Sequence, residues 1–234
     1  MNGAEVLTPV LDILDVVGVA IFALSGALIA AKERQTFVTV AFFALITGVG
    51  GGTVRDLLIG APVFWMTDPW VAAACLIVAL LVWFTPTRWW DGKLLDYADG
   101  LGLTAYAVLG SAKSLSYGIP PVPAILMGVV TGTVGGIIRD VVAGRPSIIM
   151  RPELYVTAAA LSASLCVAGM WLELPQFAVW TIATLAGLVL RSAAIRWQLA
   201  LPTYREKERA AAKERAKRKA EANAPASQSD DTSG

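Results

Sequence analysis

Histidine is absent from the 234-residue chain, and cysteine occurs only twice. Without histidine, a Ser-His-Asp relay and a histidine-ligated metal centre are excluded. Cys75 and Cys166 both lie inside apolar blocks, where they read as small buried hydrophobes, and two are too few for a disulfide framework. Charge is scarce as well. Only 16% of residues are charged and 56% are hydrophobic, with a mean hydropathy of +0.62. A soluble domain carries about 25% charged residues. No Walker loop, dinucleotide fingerprint or zinc spacing is present. These absences argue against a soluble enzyme, and no cofactor or resident metal is expected. The start, MNGAEVLTP, lacks the basic region of a leader peptide.

What is present is apolar sequence in blocks of about 20 residues, the length that crosses a hydrocarbon core. Seven spans are predicted: Val10–Ala31, Phe37–Gly60, Pro69–Phe84, Tyr97–Leu115, Pro121–Gly144, Leu154–Leu172 and Phe177–Trp197. The fold class expected is therefore an all-α integral membrane protein. Residues 1–9 form an N-terminal segment, 10–86 a first three-helix unit, 87–95 a linker, 96–172 a second unit, 173–198 a seventh helix and 199–234 a basic tail.

The chain repeats itself. Shifted by 84 residues, TGVGGGTVRDLLIGAP (Thr47–Pro62) falls on TGTVGGIIRDVVAGRP (Thr131–Pro146) without a gap, and 19 of the 76 positions in 10–85 are identical to 94–169. Apolar bias does not align Arg-Asp, Pro and six glycine pairs. Three spans per copy is an odd number, so the second copy enters the membrane from the opposite side. The expected architecture is two inverted three-helix repeats plus a seventh helix, an arrangement common in transport folds.

Basic residues set the orientation. With the C-terminus cytoplasmic, the inner loops hold Lys32, Arg34, Arg88, Lys93, Arg139, Arg145, Arg151 and the tail, and the outside holds Arg55 and Lys113. The N-terminus is accordingly expected outside. Trp65, Trp70, Trp89, Trp90, Trp171 and Trp197 fall mostly at span ends, as an aromatic belt would. The segment from Arg191 onward carries 10 basic and 6 acidic residues. It reads either as a solvated helix with a polar stub or as a contact for anionic lipid headgroups. It lacks interleaved aromatics, so no nucleic-acid partner is expected.

The dominant motif, T-G-x-x-G-G-x-x-R-D-x-x-x-G-x-P, occurs in both copies. Gly48, Gly50, Gly51 and Gly52 in the second span, and Gly132, Gly135 and Gly136 in the fifth, predict helix breaks that line a pathway. The competing reading is tight helix packing through small residues. A second constellation is acidic. Asp12 and Asp15 share one face of the first span at i, i+3, and Asp96 and Asp99 repeat the arrangement on the fourth. With Arg55–Asp56 and Arg139–Asp140, they make a charge cluster expected at each mouth. Such a cluster reads as structural pairing or as a device that attracts cations. Ser25, Thr47, Thr104, Ser111 and Thr131 are candidate pore-lining hydroxyls, with back-bonding to their own helices the competing reading. Lys113 is a further candidate pore-lining residue, read first as snorkelling to the interface and otherwise as repelling cations or responding to voltage.

These doubled GGGTVRDLLIG and GGIIRDVVAG segments, the three-span repeats and the seventh span resemble the prokaryotic trimeric intracellular cation (TRIC) channels, whose duplicated unit is also labelled a glycine transporter domain. The resemblance covers about Val10–Trp197 and leaves out the tail. It implies a homotrimer in the bacterial plasma (inner) membrane, with one pore per protomer, selective for monovalent cations with potassium preferred and bound only transiently. It also implies that the second and fifth spans kink at Gly50, Gly51, Gly52, Gly135 and Gly136. A secondary transporter for glycine or another small solute is the alternative, since carriers share inverted repeats and broken helices.

Overall fold

The computed structural model describes residues 3–86, 89, 93–150, 153–201, 204, 208 and 215, with side chains from Asp15 onward. Every regular element among these residues is helical. In chain order they are α1 (Gly3–Lys32), α2 (Phe37–Ile59), α3 (Phe64–Thr67), α4 (Pro69–Phe84), α5 (Leu94–Ser116), α6 (Pro121–Val142), a 3-10 turn at Ile148–Met150, α7 (Val156–Trp171) and α8 (Gln176–Trp197). They belong to a compact unit covering residues 1–199, and 200–234 form a separate unit. The side chain of Asp12, residues Arg88, Trp90 and Arg151, and nearly all of the tail lie outside the described residues.

Helix ends follow local chemistry. Thr36 caps α2 by accepting from the Thr39 N–H, and Asp68 caps α4 by accepting from Trp70 N–H at 2.9 Å, with Pro69 opening the helix. At its far end α2 closes on Gly60 at φ 70°, and the loop after α6 turns on Gly144 at φ 65°. Both are left-handed, where a side chain is strained. Four helices are long and apolar enough to cross a membrane: α1 from Asp15, α2, α6 and α8. Helices α4 and α7 have 16 residues each, and α5 carries Asp96, Asp99 and Lys113.

The sequence predicted breaks at the glycines of the second and fifth spans. Instead α2 runs unbroken through Gly48, Gly50, Gly51 and Gly52, and α6 through Gly132, Gly135 and Gly136. An interior glycine weakens a helix by about 1 kcal/mol. An unpaired buried backbone group costs about as much or more, so the ladder is kept. The glycines serve close approach. A Cβ on Gly51 would overlap the carbonyl oxygen of Thr131, and one on Gly135 would lie 2.7 Å from that of Thr47. Backbone thus meets backbone where α2 crosses α6.

These contacts are reciprocal across the 84-residue offset, since Gly51 and Thr47 become Gly135 and Thr131. The same holds on α1 and α5. Gly18 faces the ring of Tyr106, and a Cβ on Gly102 would lie 3.2 Å from the ring of Phe22. Phe22 and Tyr106 occupy corresponding positions and meet edge to face, with centroids 5.3 Å apart. Around them α1 packs on α2, α4 and α5, while α5 packs on α6, α7 and α8. One apolar core, including Phe22, Phe43 and Cys75, lies in the first half, and two smaller cores lie in the second. Leu57, Leu80, Leu126, Ile182 and Val189 are exposed on the outer surfaces.

Gly51→Ala is expected to destabilise the folded protein by about 1–3 kcal/mol, as overpacking against rigid backbone does. Gly144→Ala, where an added Cβ meets nothing within 4 Å, is expected to lose only the left-handed penalty of about 1 kcal/mol. Thermal unfolding of the two purified variants checks the order.

Candidate functional site: two buried charge clusters

Each cluster grows from the Arg-Asp pair near the end of a long helix. Arg55 Nε donates to Asp56 Oδ1 at 2.8 Å, and its Nη1 lies 3.4 Å from Asp15 Oδ1 on α1. Arg139 repeats this, with Nε 3.0 Å from Asp140 Oδ1 and Nη1 on Asp99 Oδ1 of α5. Both arginines are buried. A guanidinium keeps its proton in a protein, so each must find carboxylates inside. The aspartates have a second task. Phe64 N–H donates to Asp56 Oδ2 at 3.0 Å, and Ile148 N–H donates to Asp140 Oδ2 at 2.8 Å. Ala61 and Arg145 N–H groups reach back to the main-chain oxygens of Asp56 and Asp140, both at 2.9 Å. The R-D-x-x-x-G-x-P part of the motif is therefore a clasp. Arginine ties two helices, aspartate ties the following turn, and glycine lets the chain reverse.

The two clusters differ in what surrounds the clasp. Lys113 does not snorkel. Its Nζ sits 3.0 Å from Asp56 Oδ1 and 4.0 Å from Asp15 Oδ2, with the side chain 14% exposed. The buried Asp–Asp pair offers it more than the interface does. The Phe64 ring lies 5.6 Å from Arg55 Cζ and 5.7 Å from Lys113 Nζ. Tyr106 donates its hydroxyl to the Asp15 carbonyl at 3.1 Å. On the other side Arg139 Nη1 donates to Ser25 Oγ at 2.9 Å, and Tyr155 sits beside Gly136 and Asp99.

The candidate hydroxyls divide. Thr131 back-bonds to Met127 O at 2.6 Å, Thr104 to Gly100 O at 3.1 Å and Ser25 to Phe22 O at 2.9 Å. Thr47 Oγ1 and Ser111 Oγ are buried without a hydrogen-bond partner. Asp96 lines a small cavity beside Asp99 and Asp140. Among the described residues no three acidic or cysteine side chains are placed to hold a metal ion.

Two ion pairs were missed in the sequence. Arg191 of α8 is buried, pairs with Glu153 Oε2 at 2.8 Å and lies 5.2 Å from the centre of the Tyr155 ring. It was counted with the basic tail, although its place inside the Phe177–Trp197 span was the signal. Arg145 pairs with Glu33 across 112 residues. No local pattern predicts that contact.

With this geometry in view, the likenesses to known proteins fall into one group. A family profile described as Glycine transporter matches residues 12–87 and again 96–171. A UPF0126 membrane protein of Vibrio cholerae is 36% identical over 203 residues, 84% of each chain. The UPF0126 inner membrane protein YadS of Escherichia coli is 36% identical over 195 residues, 82% of this chain and 94% of its own. Among solved structures, the TRIC trimeric intracellular cation channel orthologue from Rhodobacter sphaeroides is 37% identical and superposes with a TM-score of 0.75 over 81% of this chain and 99% of that one. A prokaryotic TRIC channel determined in 0.5 M KCl is 25% identical, with a TM-score of 0.74 over 83% of this chain and 100% of that one.

Arg139→Gln leaves Asp99 and Asp140 buried without their guanidinium and is expected to destabilise by about 3–5 kcal/mol. Arg145→Gln breaks a pair whose side chains are 37% and 48% exposed and is expected to lose less than about 1 kcal/mol. Unfolding midpoints of both variants in the same detergent check the contrast.

Proposed function

The chain belongs to the family of the duplicated glycine-transporter domain that includes the prokaryotic TRIC channels, and we propose that it is a passive cation channel of the bacterial inner membrane. Potassium is its preferred ion, and it works as a homotrimer with one pathway in each protomer. The observation that carries the reading is the 37% identity and 0.75 TM-score to a TRIC cation channel across nearly all of that chain. Three-span halves lie inverted about an axis between Phe22 and Tyr106. The reciprocal contacts of Gly18 with Tyr106 and Gly102 with Phe22 support that axis, because mutual contacts between corresponding patches are the mark of a two-fold relation. The N-terminus lies outside and the C-terminus inside.

The pathway runs along the α2–α6 crossing, between α1 and α5. Gly51 and Gly135 mark its constriction, and the buried hydroxyls of Thr47 and Ser111 border it. Conduction requires the crossing to part, and the glycines are where α2 and α6 can bend to do so. The Asp15 and Asp99 clusters sit toward the two mouths. Lys113 balances the first, and at the second, where two carboxylates face one guanidinium, low-dielectric walls focus the field on an approaching cation. A carrier for glycine rests on the family description alone, whereas several solved relatives are cation channels.

Planar-bilayer recording of purified protein tests this. Discrete current steps in potassium salts are expected, and saturable uptake of glycine without steps would overturn the channel reading. Asp15→Asn is expected to lower potassium conductance most at low ionic strength. The loss should fade toward 1 M salt, where the Debye length is about 3 Å. A salt-independent loss would place Asp15 in coordination or folding instead.

A further inference from the structure

The two clusters share one frame and differ at one position. Around Asp15, Arg55 and Asp56, the fourth member is Lys113, supplied by the other half of the chain. It brings a second positive charge to two carboxylates and one guanidinium. Around Asp99, Arg139 and Asp140, the corresponding residue 84 positions earlier is Ile29. Ile29 lies at the corresponding place, lining a cavity of about 30 Å³ with Asp96, Asp99, Arg139, Asp140 and Arg145. That volume accommodates one small species. An isoleucine brings no charge and no donor. Lys113 faces Oδ2 of Asp15, and Oδ2 of Asp99 is buried with no hydrogen-bond partner.

Neighbouring groups do not supply the missing charge. Arg145 is taken by Glu33 and Arg191 by Glu153. The Tyr155 hydroxyl lies beside Asp99 and brings no positive charge. Two buried carboxylates against one guanidinium leave a net charge of minus one in a low-dielectric place, which is costly unless compensated.

We propose that the Asp99–Asp140 cluster binds one monovalent cation, in the place that the Lys113 ammonium holds in the other half. Potassium and ammonium ions are close in size, so a site shaped like the lysine's accepts either. A single positive charge balances the cluster. A divalent ion is disfavoured because calcium and magnesium require six or more oxygens, and among the described residues no group of three His, Cys, Asp or Glu side chains is placed to hold a metal ion. The site rests on the cation-channel reading only for the ion's route of entry. Binding itself is read without flux.

The test is thermal unfolding of the full-length protein in detergent at constant ionic strength, exchanging N-methylglucamine chloride for KCl. The wild type is expected to rise in Tm with potassium, as linkage to a native-state site requires. Ile29→Lys, which tethers an ammonium in the site, is expected to lose this dependence and to unfold in N-methylglucamine no lower than wild type does in KCl. Ile29→Met is expected to keep it. A wild-type Tm indifferent to potassium, or full potassium dependence in Ile29→Lys, overturns the site. Stabilisation by calcium in place of potassium overturns its monovalent character. Should Ile29→Lys fail to fold, anomalous scattering from rubidium-soaked crystals of the wild type decides. A rubidium peak on Asp99 Oδ2 is expected, and its absence overturns the proposal. Absence of current in bilayers with potassium-dependent Tm intact would remove the channel reading and leave the site standing.

Discussion

Two buried arginines constrain the rest of this molecule. Neither Arg55 nor Arg139 can escape its charge by losing a proton, and both are enclosed by helices. Each must be met by carboxylates from its own helix and from a helix forty residues earlier. That requirement fixes the approach of α1 to α2 and of α5 to α6. The same aspartates hold the main-chain N–H groups of Phe64 and Ile148, so the turn after each long helix is tied to the same charge. Breaking one pair would release a helix contact and a turn together.

The glycines do complementary work. With side chains at 51 and 135, α2 and α6 would stand apart by the width of a methyl group or more. The two halves would then lose the backbone contact that joins them. Small residues carry helix association where apolar burial offers little drive. Continuity of both helices through their glycines therefore fits packing first.

Much of this was legible in the chain. The 84-residue offset and the companions of Arg55 and Arg139 follow from periodicity, since i, i+3 aspartates and an Arg-Asp pair recur in register, and the apolar blocks gave helix limits to within a few residues for most helices. Three features were not legible, each for a physical reason. Helix continuity at Gly50–Gly52 depends on the balance between propensity and an unmade hydrogen bond, which local sequence does not decide. The inward turn of Lys113 depends on carboxylates from α1 and α2 that only the fold brings together. Arg191 was misread because its charge resembled the tail that follows, although its burial against Tyr155 and Glu153 belongs to the helix.

Phe22 and Tyr106 are counterparts that touch one another. A residue that meets its own counterpart would, in an assembly of two identical three-helix chains, meet a copy of itself. Any substitution would then be made twice. Joining the halves in one polypeptide removes that obligation. One ring of the pair carries a hydroxyl that binds the Asp15 carbonyl, and the other ring carries none. The same freedom permits a lysine in one cluster and an isoleucine beside the other, which no pair of identical chains could hold in these two places. The covalent link thus lets two matching charge clusters carry different charge.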